Sequence, residues 1–166
     1  MRPSTISPTR VTGATEASAS TADRAFFGAG LSPVAPGTAG TLLAWPVGWA
    51  LLDGAPAEIA LPAIGLLFLV GVWACGVTGR NLGVADHGGM VWDEFVAFLL
   101  MLAVLPHSLA WQAAGFAAFR FFDIAKPPPI RWLERRYHGG FGVMIDDLLA
   151  AAYALLCLSL VKRFFL

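Results

Sequence analysis

The chain has 166 residues, of which 57% are hydrophobic and 13% charged, and its formal net charge is zero. Ordinary soluble domains contain about 45–50% apolar and about 25% charged residues, so this composition favours an integral membrane protein with one domain. The absence of net charge gives no electrostatic reason to expect nucleic-acid binding. Cys75 and Cys157 lie in apolar segments and are interpreted as core residues, which argues against a disulfide or a zinc site.

The first 24 residues are rich in Ser, Thr, Ala and Pro. They contain no apolar stretch of the kind that a secretory signal requires, so we predict a disordered tail over 1–24. The rest of the chain, 25–166, is predicted to form one membrane domain made only of helices.

The first ordered block is FFGAGLSPVAPGTAGTLL (26–43), and a helix is predicted to begin within it and to cover 38–52. A segment rich in Gly and Thr at the start of a helix offers free backbone N–H groups and the positive end of the helix dipole to an anion. Thr38, Gly40 and Thr41 are therefore candidates for binding a phosphate group. The alternative is an ordinary helix start with glycines needed for packing.

A second helix is predicted over 58–79 and is the best candidate for a membrane span. About 20 residues at 1.5 Å per residue cross a hydrocarbon core of about 30 Å. The glycine-rich polar segment that follows ends in the acids Asp93 and Glu94. Adjacent carboxylates after a loop can hold a divalent cation, although acids in the first turn of a helix also favour the helix dipole.

Two apolar segments, 95–105 and 107–122, are separated by Pro106 and are too short to span a membrane separately. They form either a short helical hairpin or one kinked span. If the N-terminal region and the basic segment 131–136 both face the cytoplasm, as the positive-inside rule suggests, the hairpin is required. With a last helix at 146–161, this arrangement gathers four polar blocks on the cytoplasmic face: 32–41, 80–94, 120–136 and 138–147.

The densest polar stretch runs from Arg120 to Asp147 and lies between long apolar segments. It alternates carboxylates with cations, which is the mixture that phosphate-ester chemistry needs: acids to hold a hard metal ion and bases to hold the phosphate.

Four stretches give the chain a resemblance to the phosphatidylglycerophosphatase A family: GLSPVAPGTAGT (30–41), DHGGMVWDEF (86–95), FRFFDIAKPPPI (119–130) and HGGFGVMIDD (138–147). The resemblance covers about 26–160. It implies a Mg²⁺-dependent phosphatase of the bacterial inner membrane that converts the lipid phosphatidylglycerophosphate to phosphatidylglycerol.

On this interpretation the metal ligands are two pairs of adjacent acids, bound directly or through water: Asp93, Glu94, Asp146 and Asp147. Arg120 and Lys126 are predicted to bind the terminal phosphate and the charge that develops on it, and Asp123 to join the metal shell or orient the attacking water. Gly139 and Gly140 are predicted to let the backbone approach a phosphate, with a flexible turn as the alternative.

Three other functions fit parts of the sequence. The same chemistry can act on another lipid phosphate such as phosphatidate. A small transporter would use the acids as an ion path, but it would carry them in mid-span, whereas here they gather at the ends of segments. A soluble all-helical enzyme would bury the apolar segments against each other.

Overall fold

The computed structural model describes residues 36–52, 54–82 and 91–165. Within these ranges the protein contains helices and no strand, which confirms the all-helical class. The helices are α1 (Pro36–Leu52), α2 (Ala57–Leu82), α3 (Trp92–Val104), α4 (Leu109–Ala125), α5 (Ile130–Arg136) and α6 (Gly140–Phe165). The predicted tail over 1–24 lies outside the described residues, as do the polar residues 83–90.

Helix α3 is the centre of the bundle and contacts α1, α2, α4 and α6. Its sequence is apolar apart from Asp93 and Glu94 in the first turn, and Phe98 and Met101 are completely inaccessible to solvent. A helix that is apolar on all sides is stable only when other helices surround it. The central position of α3 therefore fixes where its two acids lie.

Helices α3 and α4 run antiparallel, because Arg120 near the end of α4 reaches Glu94 at the start of α3. The connection between them contains Pro106, which cannot continue a helix. The two apolar segments on either side of Pro106 therefore form a hairpin, as predicted, and not one kinked span.

Helices α2 and α6 are also antiparallel and touch backbone to backbone. A Cβ atom at Gly140 would overlap the main chain of α2 at Val72 and Gly76, and one at Gly71 would lie 2.6 Å from Met144 Sδ. Helix α1 runs parallel to α3, since Gly40 lies against Val91 and Gly48, further along α1, lies against Leu102. One end of the bundle, here called the polar end, therefore holds α5, the starts of α1, α3 and α6 and the ends of α2 and α4; the opposite end is called the far end.

Two features of the polar end differ from the sequence prediction. The basic segment 131–136, predicted as a loop, is part of α5, and the completely buried side chain of Ile130 anchors this helix to the bundle. Helix α6 begins at Gly140 instead of near residue 146. Glycine is a poor helix former, but at position 140 the close approach to α2 requires it, so tertiary packing outweighs the local preference.

Two helices, α2 over Ala57–Arg80 and α6 over Gly140–Phe164, are long and apolar enough to cross a membrane, judged by length and composition. Most of α2 is not covered by the rest of the bundle. Its exposed side chains include Leu66, Leu69 and Trp73, the last with 70% of its surface accessible. A surface this apolar is unusual for a helix that faces water.

Candidate active site

Arg120 holds two acids at the polar end. Its Nη1 atom is 2.7 Å from Oε1 of Glu94 on α3 and 2.8 Å from Oδ2 of Asp123 on its own helix. The spacing of three residues places Asp123 and Arg120 on the same face of α4. All three side chains are largely shielded from solvent, so their interactions are only weakly screened.

Lys126 forms a second group with two other acids. Its Nζ atom is 2.8 Å from Oδ2 of Asp146 on α6 and 3.0 Å from Oε1 of Glu134 on α5. Burial lowers the pKa of Lys126, but hydrogen bonds and charge interactions with Asp146 and Glu134 outweigh burial and raise the pKa above its usual value. The ammonium group therefore stays charged at neutral pH.

Asp147 links the two groups. Its side chain is buried and has charge interactions with four other acids, Asp93, Glu94, Asp123 and Asp146. Arg120 interacts with it as well. Its Oδ2 atom is buried and accepts no hydrogen bond from any residue that the structure describes. Several carboxylates from α3, α4 and α6 thus share one region with two cations, and their mutual repulsion favours binding of a further positive charge.

The start of α1 lies directly against this acidic region. A Cβ atom at Gly37 would overlap the carboxylate of Glu94, so the backbone comes this close only because residue 37 has no side chain. Thr38, the next residue, is partly accessible beside it. The predicted phosphate-binding position of Thr38 is therefore near the acids.

Three predicted substrate-binding residues have structural roles within the bundle. Thr41 is completely buried, and its hydroxyl donates a 3.0 Å hydrogen bond to the carbonyl oxygen of Gly37 within α1. Gly40 is buried where α1 meets Val91, and Gly140 is buried where α6 meets α2. Packing within the bundle accounts for each of these three residues, and their contact with a phosphate stays a prediction.

Gly139 differs from Gly140 because it faces open space. Its φ angle is +75°, in the left-handed region that favours glycine, and no atom of another residue would contact an added Cβ. It borders a cavity of about 100 Å³ whose wall includes Glu134, His138 and Asp146. Two of these residues are the acids that hold Lys126, so the prediction that a phosphate group approaches Gly139 is compatible with the geometry.

The acids of the polar end fit Mg²⁺ by their chemistry, although the described side chains do not form a ready-made metal site. No set of three or more His, Cys, Asp or Glu residues within 36–52, 54–82 and 91–165 is arranged to hold a metal ion. Mg²⁺, however, commonly uses one or two carboxylates and completes its shell with waters and substrate phosphate oxygens. Buried Asp147, with an oxygen that accepts no described hydrogen bond, meets that requirement.

Sequence reasoning assigned no role to Glu134 or to Gly37. Glu134 lies eight residues after Lys126, and the two meet only because a turn of prolines separates α4 from α5, so no periodic spacing indicates the pair. Gly37 has a weak signal, since a glycine directly after a proline at a helix start often marks a close backbone approach.

Comparison of the sequence with known proteins gives evidence that is independent of this geometry. Residues 24–162 match the family Phosphatidylglycerophosphatase A. Two curated relatives are named phosphatidylglycerophosphatase A: one from Escherichia coli strain K12, 46% identical over 125 residues (75% of this chain and 72% of the relative), and one from Haemophilus influenzae, 46% identical over 142 residues (84% and 86%).

A third relative, from Bacteroides thetaiotaomicron, is 38% identical over 143 residues, which is 82% of this chain and 89% of the relative. It carries the provisional name phosphatidylinositol-3-phosphatase. No solved structure matches the chain.

Proposed function

The chain belongs to the phosphatidylglycerophosphatase A family, and we propose that its polar end removes the terminal phosphate of phosphatidylglycerophosphate by Mg²⁺-dependent hydrolysis. The products are phosphatidylglycerol and inorganic phosphate. The observation that carries this function is the match to the two phosphatidylglycerophosphatase A relatives at 46% identity over most of the chain. The convergence of the predicted acids and cations at one end of the bundle supports it independently.

Arg120 and Lys126 bind the terminal phosphate in this mechanism. Each cation contacts two carboxylates, and because an ammonium group has three N–H donors and a guanidinium group five, each has further donors for a phosphate oxygen when the substrate enters. Charge-assisted hydrogen bonds of this kind are strong in a shielded site and stabilise the charge that develops on the transferring group.

Asp93, Glu94, Asp146 and Asp147 would hold Mg²⁺, since three of them are buried and all four acids interact through their charges. The bound ion supplies a positive charge that draws electron density from the phosphate and offsets the repulsion among the acids. Arg120 keeps Asp123 oriented, and Asp123 accepts a proton from the attacking water. The water oxygen bonds to phosphorus, the bond from phosphorus to the glycerol oxygen breaks, and that oxygen takes up a proton from bulk water, while Asp123 releases to bulk water the proton that it accepted.

We propose that the bundle is embedded in the bacterial inner membrane with the polar end at the cytoplasmic face. The two long apolar helices and the exposed apolar surface of α2 support this placement. Arg131, Arg135 and Arg136 are exposed on α5 at the same end, as the positive-inside rule expects for a cytoplasmic surface. Release of the protein from membranes by alkaline salt without detergent would contradict this placement.

Another lipid phosphate is the second candidate substrate, because the Bacteroides relative is named for a phosphoinositide. The residues described above recognise a phosphomonoester and a metal ion, which all these lipids offer. The difference between them must come from contacts to the rest of the headgroup.

A substrate panel tests the proposed function. Purified protein in detergent micelles is given phosphatidylglycerophosphate, phosphatidate or phosphatidylinositol 3-phosphate in the presence of Mg²⁺, and phosphate release is measured. We expect kcat/KM to be at least about tenfold higher for phosphatidylglycerophosphate, which corresponds to about 1.4 kcal/mol of additional transition-state binding. A higher value for either other lipid would assign the enzyme to that substrate.

A further inference from the structure

The turn formed by Lys126, Pro127, Pro128 and Pro129, here called the Lys126 turn, joins α4 to α5. Lys126 has a φ angle of +41°, in the left-handed region that L-residues other than glycine rarely adopt. Such a conformation persists only where the surroundings hold it. The contacts that hold this turn therefore decide where the Lys126 ammonium group lies.

Tyr153 holds the middle of the turn from α6. Its hydroxyl donates a 2.9 Å hydrogen bond to the carbonyl oxygen of Pro128. Its ring stacks on Phe122, with 5.5 Å between ring centroids and 28° between planes. Phe122 also accepts the backbone hydrogen bond of Lys126, which closes the end of α4. The aromatic pair of Phe122 and Tyr153 thus fixes the chain on both sides of Lys126, through the Phe122 carbonyl oxygen before it and the Pro128 carbonyl oxygen after it.

Glu134 holds the ammonium group itself. Helix α5 is seated on the bundle by Ile130, and Arg131 ties it to the end of α4 through a 3.2 Å hydrogen bond from Nη2 to the carbonyl oxygen of Ala125. This anchored helix presents Glu134 to Lys126 at 3.0 Å. Lys126 therefore contacts one acid on α5 in addition to Asp146 on α6.

We propose that Glu134 and Tyr153 are positioning residues that hold the Lys126 ammonium group beside Asp146, where the phosphate of the substrate binds. The proposal rests on the proposed function only in the assignment of the phosphate to Lys126. Glu134 acts through its ion pair and Tyr153 through the backbone of the turn, so neither residue needs to touch the reacting phosphate.

The two lysines of the chain give a direct measurement of this positioning. Lys126 is at the polar end, and Lys162 is exposed in the last turn of α6 at the far end, so Lys162 is an internal reference. Wild type, Glu134→Gln and Tyr153→Phe are treated in detergent with an amine-acetylating reagent, and the labelling of Lys126 relative to Lys162 is quantified by peptide mass spectrometry. Acetylation of Lys126 requires that its amine leave the two carboxylates.

We expect relative labelling of Lys126 to rise by about fivefold in Glu134→Gln, because this change removes the negative charge that is paired with the ammonium group, and by about threefold in Tyr153→Phe, because this change removes the hydrogen bond to the turn. Ser159→Ala is the matched control, because it removes a hydroxyl on α6 that, among the described residues, donates a hydrogen bond to the carbonyl oxygen of Leu156 within that helix. Its labelling ratio should equal that of wild type. Wild-type ratios in both Glu134→Gln and Tyr153→Phe would overturn the proposal.

Steady-state kinetics distinguish two possible roles of Glu134: it either positions Lys126 for the phosphate or competes with the phosphate for Lys126. A loosened Lys126 binds the phosphate less well, so KM should rise by about three- to tenfold in both variants while kcat changes by less than about threefold. A lower KM in Glu134→Gln would overturn the proposal, because it would show that Glu134 competes with the substrate for Lys126. If Tyr153→Phe does not fold, the result for Glu134→Gln alone tests the proposal. The Glu134 side chain is partly exposed, so its substitution does not disturb the core.

The labelling result is independent of enzymatic activity. A wild-type protein that releases no phosphate from any lipid phosphate would overturn the proposed function, whereas the labelling ratios alone would still decide the positioning of Lys126.

Discussion

The two ends of the bundle differ in both charge and space. The polar end has buried carboxylates from two helices, α3 and α6, two cations in ion pairs and a cavity of about 100 Å³. The far end has a cavity of about 400 Å³ whose wall is mainly apolar and includes Trp111, Leu158 and Lys162. The larger cavity lacks a set of acids and cations, so free volume alone does not locate the chemistry. We therefore base the proposed location of the chemistry on the buried charges.

Helix α6 connects the two ends and makes the comparison testable. Asp147 lies near its start and Lys162 near its end, about 23 Å apart at 1.5 Å per residue. Substitutions at the two positions therefore alter the same helix but different ends of the bundle. If the chemistry belongs to the polar end, only changes there should greatly reduce activity.

The largest effect is expected for Asp147→Asn, which keeps the size of the side chain but removes its charge. Loss of one metal-holding carboxylate in a shielded site should lower kcat by a factor on the order of 10²–10⁴. The measurement is phosphate release from phosphatidylglycerophosphate, with folding in detergent checked first. Glu58→Gln, which neutralises an exposed acid at the start of α2 near the far end, is the matched control. Near-normal activity in well-folded Asp147→Asn would exclude Asp147 from the metal site.

A smaller effect is expected for Lys126→Ala, because Arg120 still binds the phosphate. Removing one cation from the site should lower kcat/KM by a factor on the order of 10². Lys162→Ala removes the other lysine, which is exposed at the far end, and should change kcat/KM by less than about twofold, as surface substitutions usually do. Equal losses of kcat/KM in the two variants would contradict the assignment of the chemistry to the polar end.

The smallest effect at the polar end is expected for Arg136→Ala. Arg136 is exposed on α5 and forms no described ion pair within 36–52, 54–82 and 91–165, so we expect it to interact with anionic headgroups at about 1 kcal/mol. Activity in vesicles should fall by less than about tenfold, and the loss should shrink when anionic lipid is reduced. A dead Arg136→Ala variant beside an active Asp147→Asn would show that α5, and not the acids, carries the reaction.

The sequence predicted the broad architecture of the polar end because its signals are local. Paired acids at the ends of apolar segments predicted the neighbourhood of Asp93 and Asp147, and Pro106 indicated the hairpin. The structure places these residues together, while their roles as metal ligands stay predictions. The helical class follows from the same apolar segments.

The rest depends on contacts between distant residues, which one sequence does not reveal. Gly140 looks like a loop glycine, but its contact with α2 lies more than 60 residues away in the chain. The burial of Thr41 inside the bundle is likewise not visible in the sequence, where this residue is only one of several Gly and Thr residues at a predicted helix start. The ion pair of Lys126 with Glu134 depends on the geometry of the turn between α4 and α5. The prolines in the sequence predict a turn, but they do not predict the direction in which the chain leaves it.

The most direct measurement of the proposed chemistry is phosphate release from phosphatidylglycerophosphate by purified wild-type protein before and after removal of divalent cations. We expect EDTA to abolish phosphate release and excess Mg²⁺ to restore it, because the acids of the polar end repel one another and need a cation to act on a phosphate. Full activity in EDTA would contradict the metal mechanism and favour a route that uses only side chains.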